Sequence, residues 1–106
     1  MKFSPKEVLP TRGARLNEGS IYWLRRHDYW FPVQVLEVGN NLLTYDGNHR
    51  FMVAEEQGKS IDGLLILPGD EEYMKMVKEL PEFRNYAIDE GYLTYNHLLK
   101  LYYKGQ

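Results

Sequence analysis

Residues 42–58 read LLTYDGNHRFMVAEEQG and contain the patterns of a strand, a sharp turn and a helix in succession. The first four residues combine leucines with threonine and tyrosine, which is typical of a strand. Asp46-Gly47 breaks this pattern, and a helical pattern follows as far as Gly58, because glycine readily adopts the left-handed conformation that ends a helix. We therefore predict a strand that turns directly into a helix, with residues 48–50 in the first turn of that helix.

The start of this helix has the properties of an anion-binding site. Its first backbone N–H groups have no intrahelical acceptor, and the helix dipole makes that end partly positive. Gly47 lets a ligand approach the backbone, Arg50 supplies a permanent cation, and His49 can donate a hydrogen bond or move a proton near neutral pH. The alternative interpretation is structural: Asp46 caps the helix and the side chains of His49 and Arg50 are solvated.

The sequence Asp46-Gly47-Asn48-His49-Arg50, followed by Val53-Ala54 and Gly58, resembles the signature of the ParB/sulfiredoxin-like superfamily. Members have a strand, a Gly-x-His-Arg or Gly-x-Arg-Arg turn, and an alanine-rich helix that ends at glycine. The proline-led segment 31–38 is similar to the family's preceding strand, and segment 61–68 to the strand after the helix.

The resemblance implies that the motif helix binds a nucleotide, ATP or CTP with Mg²⁺, or another phosphate compound. Sulfiredoxin activity is excluded, because Asn48 stands where the catalytic cysteine would be and the chain contains no cysteine. Partitioning proteins of the ParB type need a helix-turn-helix module after this domain, and the C-terminal segment here is too short and too acidic for one. A free-serine kinase of this superfamily has a motif close to Asp46-Gly47, but its order of His and Arg differs.

The expected site follows from the resemblance, residue by residue. Gly47, Asn48 and His49 would present N–H groups to phosphate, and Asp46 or His49 would serve as the acid–base group. Arg50 would neutralise charge. Arg12 and Arg15, which flank Gly13 in a loop, complete the predicted set. That loop is either solvated or a second anion-binding loop that faces Arg50. The three histidines are far apart and form no HExxH pattern, so we predict no built-in metal site.

Composition sets further limits. The chain has 106 residues, 43% hydrophobic and 26% charged, which suits one globular domain with one modest core. A net charge of −2 argues against broad electrostatic binding to nucleic acid. No run of about 18 apolar residues is present, and the N-terminus lacks the apolar segment of a signal peptide, so we expect a cytoplasmic protein without membrane association.

The predicted fold is α+β, with a small mixed sheet, packed helices and two C-terminal helices in a single domain. The strands are expected near residues 32–38, 42–46 and 63–67, with a weak first strand over 6–10, and the packed helices near 17–27 and 47–57. The domain comprises residues 1–106, with a motif core over 8–68 and a C-terminal extension over 69–106. Two burial expectations accompany this fold. Ile21, Trp23 and Leu24 would face the core, and the apolar run 64–67 would be buried on both faces.

Two functions remain open on these grounds. The first is a small nucleotide- or phosphate-binding domain that hydrolyses a nucleotide or transfers a phosphoryl group. The second is a non-catalytic accessory module that keeps the ParB-like fold and binds DNA or a protein partner. Aromatic residues 29–31 with nearby arginines could also stack on bases, although Trp and Tyr more often fill cores.

Overall fold

The computed structural model describes residues 1–11, 17–80 and 94–105. The described part of the chain is a mixed α+β domain, as the sequence predicted. The elements in chain order are β1 (Lys2–Phe3), α1 (Glu18–Arg26), β2 (Val33–Val38), β3 (Asn41–Asp46), α2 (Asn48–Gln57), β4 (Ile61–Ile66), α3 (residues 73–80) and α4 (Tyr95–Lys104).

The strands form one mixed sheet in the order β1-β4-β2-β3. β2 and β3 make an antiparallel hairpin in which Leu36 pairs with Leu43. β4 returns after α2 and lies parallel to β2, with Val33 paired to Gly63. The turn between β2 and β3 lies at Gly39, whose φ of 60° glycine adopts without strain.

Helices cover both faces of this sheet. The larger core joins one face to α1, α2 and α4, and it includes Val35 and Phe51. The smaller core joins the opposite face to α3, and it includes Leu36 and Met76. Val35 and Leu36 are neighbours in β2 and belong to different cores, because successive side chains of a strand point to opposite faces.

The turn from β3 into α2 depends on the absence of a side chain at Gly47. Its φ is 128°, a conformation that L-residues rarely adopt. A Cβ atom there would also lie 2.4 Å from Cγ1 of Val33. Gly63 approaches Val33 from β4, where a Cβ would lie 2.6 Å from Cγ2. The two glycines thus hold Val33 between them and let the start of α2 lie directly over the start of β2. Gly58 ends α2 at a φ of 66°, as predicted.

Three expectations about strands and burial were wrong. The first strand is Lys2–Phe3, which pairs with β4, whereas Leu9 in the predicted first strand makes only an isolated bridge with Leu43. β4 is not buried on both faces: Leu64 is 61% exposed. The described part of α3 packs against Ile66, beside Leu36, and leaves Leu64 uncovered. Trp23, expected to face the core, is 47% exposed.

Candidate functional site

One cavity of about 800 Å³ lies where two helix starts, the end of β3 and the segment before β2 meet. Its described lining is Thr11, Asn17, Gly19, Ser20, Trp23, Leu24, Trp30, Phe31, Pro32, Tyr45, Asp46, Gly47, Asn48, His49 and Arg50. The cavity therefore brings together every described residue of the predicted site. The predicted arginines Arg12 and Arg15 lie outside the described residues.

The N-terminus of α2 forms one wall of this cavity. Gly47 is the N-cap, and the first helical bond runs from the N–H of Phe51 to the carbonyl of Gly47 at 2.9 Å. A glycine cap has no side-chain oxygen that could accept from the N–H groups of the first turn, and those groups carry the positive end of the helix dipole. Asp46 is the last residue of β3 rather than the cap that the structural interpretation of the motif assigned to it.

The N-terminus of α1 forms a second wall. Asn17 caps α1, and its Oδ1 accepts from the N–H of Ser20 at 2.9 Å. The backbone N–H of Asn17 donates to Nε2 of His49 at 2.9 Å, so the imidazole of α2 holds the two helix starts together. Because Nε2 is the acceptor in this bond, the neutral ring carries its proton on Nδ1. Sequence reasoning recognised the helix start near Asn17 but did not connect it with the start of α2.

Arg50 lies between the segment before β2 and the end of β3. Its Nη1 donates to the carbonyls of Phe31 and Pro32 at 2.5 and 2.8 Å, and its Nη2 lies 3.1 Å from Oδ2 of Asp46. The Arg50 side chain is 15% exposed, whereas that of Asp46 is 64% exposed. Arg50 is the only Lys or Arg in the described lining, so it provides the fixed positive charge there. Its contacts also make it a structural anchor.

Asn48 lines the cavity and belongs to a polar network whose other members, Thr11, Thr44 and Tyr95, are buried. Its Oδ1 accepts from the N–H of Thr11 at 3.0 Å and from the hydroxyl of Tyr95 at 2.8 Å. The Tyr95 hydroxyl also lies 2.6 Å from Oγ1 of Thr44. Burial raises the pKa of Tyr95 well above its usual range, so the hydroxyl keeps its proton and can donate to Asn48. The amide therefore positions the first turn of α2 and ties it to α4, a connection that the sequence did not reveal.

Aromatic side chains form the third wall. Trp23 was predicted to pack in the core with Ile21 and Leu24, but it is 47% exposed and lines the cavity, whereas Ile21 and Leu24 are buried. The prediction for Trp23 failed because helical spacing places it at the edge of the buried stripe, next to a cavity that none of the described elements fills. Phe31 is 78% exposed and lines the same cavity.

Comparison of the chain with protein-family models, with curated protein sequences and with solved structures gave no match. Within residues 1–11, 17–80 and 94–105, no group of three or more His, Cys, Asp or Glu residues is placed to hold a metal ion. In the same part of the chain, every helix is too short or too polar to cross a bilayer.

Proposed function

We propose that this chain is a small nucleotide- or phosphate-binding domain whose ligand occupies the cavity between α1 and α2. The observation that carries this proposal is that the N-termini of both helices line one cavity, on the sides of Asn17 and Gly47. Helix N-termini favour anions because their N–H groups and dipoles point toward the ligand. The volume, about 800 Å³, is within the usual range of small-molecule sites.

Three further features support a phosphate compound as the ligand. Arg50 supplies a guanidinium, whose forked donors match phosphate oxygens. Its Nη1 donates to the two carbonyls before β2 and its Nη2 pairs with the exposed carboxylate of Asp46, so a phosphate would compete with that carboxylate. Gly47 leaves the approach to the backbone open. The motif over residues 46–50 also resembles that of the ParB/sulfiredoxin-like superfamily, from which ATP or CTP with Mg²⁺ is the expected ligand.

If the site also catalyses hydrolysis or phosphoryl transfer, Asp46 is the better acid–base candidate. His49 uses its Nε2 lone pair to accept the N–H of Asn17, so it would have to break that bond to take a proton. Asp46 lines the cavity with an exposed carboxylate that can receive a proton or contact a water of Mg²⁺. With saturating ATP or CTP and Mg²⁺, Asp46→Asn should abolish turnover while His49→Gln retains measurable turnover. The reverse order would assign the role to His49.

Binding is tested by calorimetric titration of the full chain with tripolyphosphate, ATP and CTP, each with Mg²⁺, and with duplex DNA. Arg50→Gln removes the positive charge but keeps an N–H donor for the carbonyls before β2. Arg26→Gln is the matched control, because it changes net charge equally, and Arg26 lies over the ring of Tyr22 outside the cavity lining.

We expect Arg50→Gln to weaken tripolyphosphate binding about 10- to 100-fold, the effect of losing a charge-assisted hydrogen bond of about 1.5–3 kcal/mol. Arg26→Gln should change it less than about twofold, since an exposed charge away from the site acts only through screened long-range attraction. Equal effects of the two substitutions, or no binding of any phosphate compound by the folded chain, would overturn the proposal. Binding of duplex DNA alone would favour the accessory module.

A further inference from the structure

Trp23 is an exposed indole that its own helix holds in place. Its ring stacks on that of His27, with the centroids 3.9 Å apart and the planes 11° from parallel. Nδ1 of His27 donates to the carbonyl of Trp23 at 2.7 Å, so the imidazole is fixed as well. Although one face of the indole is covered, Trp23 remains 47% exposed and faces the cavity as one of its lining residues. An immobilised ring loses little entropy when a second flat ring stacks on it.

Phe31 is a second ring on the same cavity. It is 78% exposed, and its ring partner among the described residues is Tyr29, which meets it edge-on at 6.4 Å. The position of its backbone is set by Arg50, whose Nη1 donates to the Phe31 carbonyl. The aromatic wall is therefore continuous with the charged part of the site. Burying large rings normally stabilises a fold, so two rings exposed at one cavity suggest a ligand that covers them.

We propose that the ligand carries a planar heterocycle that packs against Trp23 and Phe31 while its phosphates lie at the starts of α1 and α2. This inference rests on the proposed function and adds to it the part of the cavity, Trp23 and Phe31, that would hold the base of a nucleotide. Base–aromatic stacking tolerates every base, because each base has a π-face, so the two rings select a nucleotide without choosing among bases. A free mononucleotide suits a single cavity of about 800 Å³, and the net charge of −2 disfavours a nucleic-acid strand.

The experiment compares Trp23→Ala and Phe31→Ala with Tyr22→Ala in calorimetric titrations with ATP, CTP and tripolyphosphate, each with Mg²⁺. Tyr22 is the matched control, because it is an aromatic residue of α1 that is 59% exposed and does not line the cavity. We expect each of the two cavity substitutions to weaken ATP or CTP binding about 5- to 100-fold. Tripolyphosphate binding should change less than about twofold in all three variants.

Tryptophan fluorescence of the unmodified chain provides a second measurement that does not depend on substitutions. ATP or CTP should quench the emission of Trp23, while tripolyphosphate should not. Trp30 also lines the cavity but is only 9% exposed, so Trp23→Ala should lose most of the quenching. If ATP, CTP and tripolyphosphate bind equally well and none quenches the tryptophan emission, the proposed packing of a planar ring against Trp23 and Phe31 is wrong. The proposed phosphate site would then remain. If no phosphate compound binds the folded chain, both proposals fail. If a single-stranded oligonucleotide binds far more tightly than any mononucleotide, the nucleoside-phosphate assignment is overturned.

Discussion

Replacing Gly47 with alanine tests the proposal that this turn positions the start of α2. The new Cβ would meet Val33 at 2.4 Å from Cγ1 and 2.8 Å from Cβ, and the residue would have to keep a φ of 128°. The unusual backbone conformation costs about 1–3 kcal/mol, and overpacking a filled core costs about 1–3 kcal/mol. We therefore expect Gly47→Ala to lower the free energy of unfolding by about 2–6 kcal/mol, a large part of the stability of a domain of this size.

Gly58→Ala is the control for the cost of placing alanine at a positive φ. Gly58 also has a positive φ, 66°, but beyond its two chain neighbours no heavy atom of the described residues lies within 4 Å of the position that a Cβ would take there. This variant should therefore lose only about 1–2 kcal/mol. Urea unfolding followed by far-UV circular dichroism measures both variants. A double-mutant cycle with Val33→Ala isolates the clash, because shortening Val33 should make Gly47→Ala less costly. Equal losses for Gly47→Ala and Gly58→Ala, with no coupling to Val33, would refute the steric reasoning.

Two further predictions concern the contacts that hold the site in place. Asn48→Ala should lower the free energy of unfolding, measured by urea titration, by about 1–3 kcal/mol. The substitution leaves the N–H of Thr11 and the buried hydroxyl of Tyr95 without their shared acceptor. Unchanged stability would show that water replaces the amide. At Glu56, partial burial raises the carboxyl pKa, but hydrogen bonds from Arg25 and a neighbouring tyrosine outweigh it and hold that pKa below its usual value. A depressed folded-state pKa stabilises the fold above the unfolded pKa of about 4.3, and this stability is lost as pH falls through the folded value. Glu56→Gln should therefore reduce the fall in unfolding free energy between about pH 5 and 3, and an unaltered pH slope would contradict this.

The strand, turn and helix of residues 42–58 could be predicted from the sequence, because their signals are local. The strand-forming residues of β3, the glycine at the turn into α2 and the stop at Gly58 each lie within a few residues of the structure that they specify. The same holds for the last helix, where Thr94 caps α4 and accepts from the N–H of His97 three residues later. Local dihedral preferences and hydrogen bonds between near neighbours act whatever the rest of the chain does.

The composition of the site was decided only by the tertiary structure. The bond from Asn17 to His49 and the bonds that Asn48 accepts from Thr11 and Tyr95 join residues more than 30 positions apart. No periodicity or capping pattern specifies such pairs, because they depend on how the helices pack on the sheet. Packing also left Trp23 at the cavity instead of in the core. The sequence by itself determined that a helix starts at an open glycine turn, since that depends on adjacent residues, whereas the second helix start and the aromatic wall depend on long-range packing.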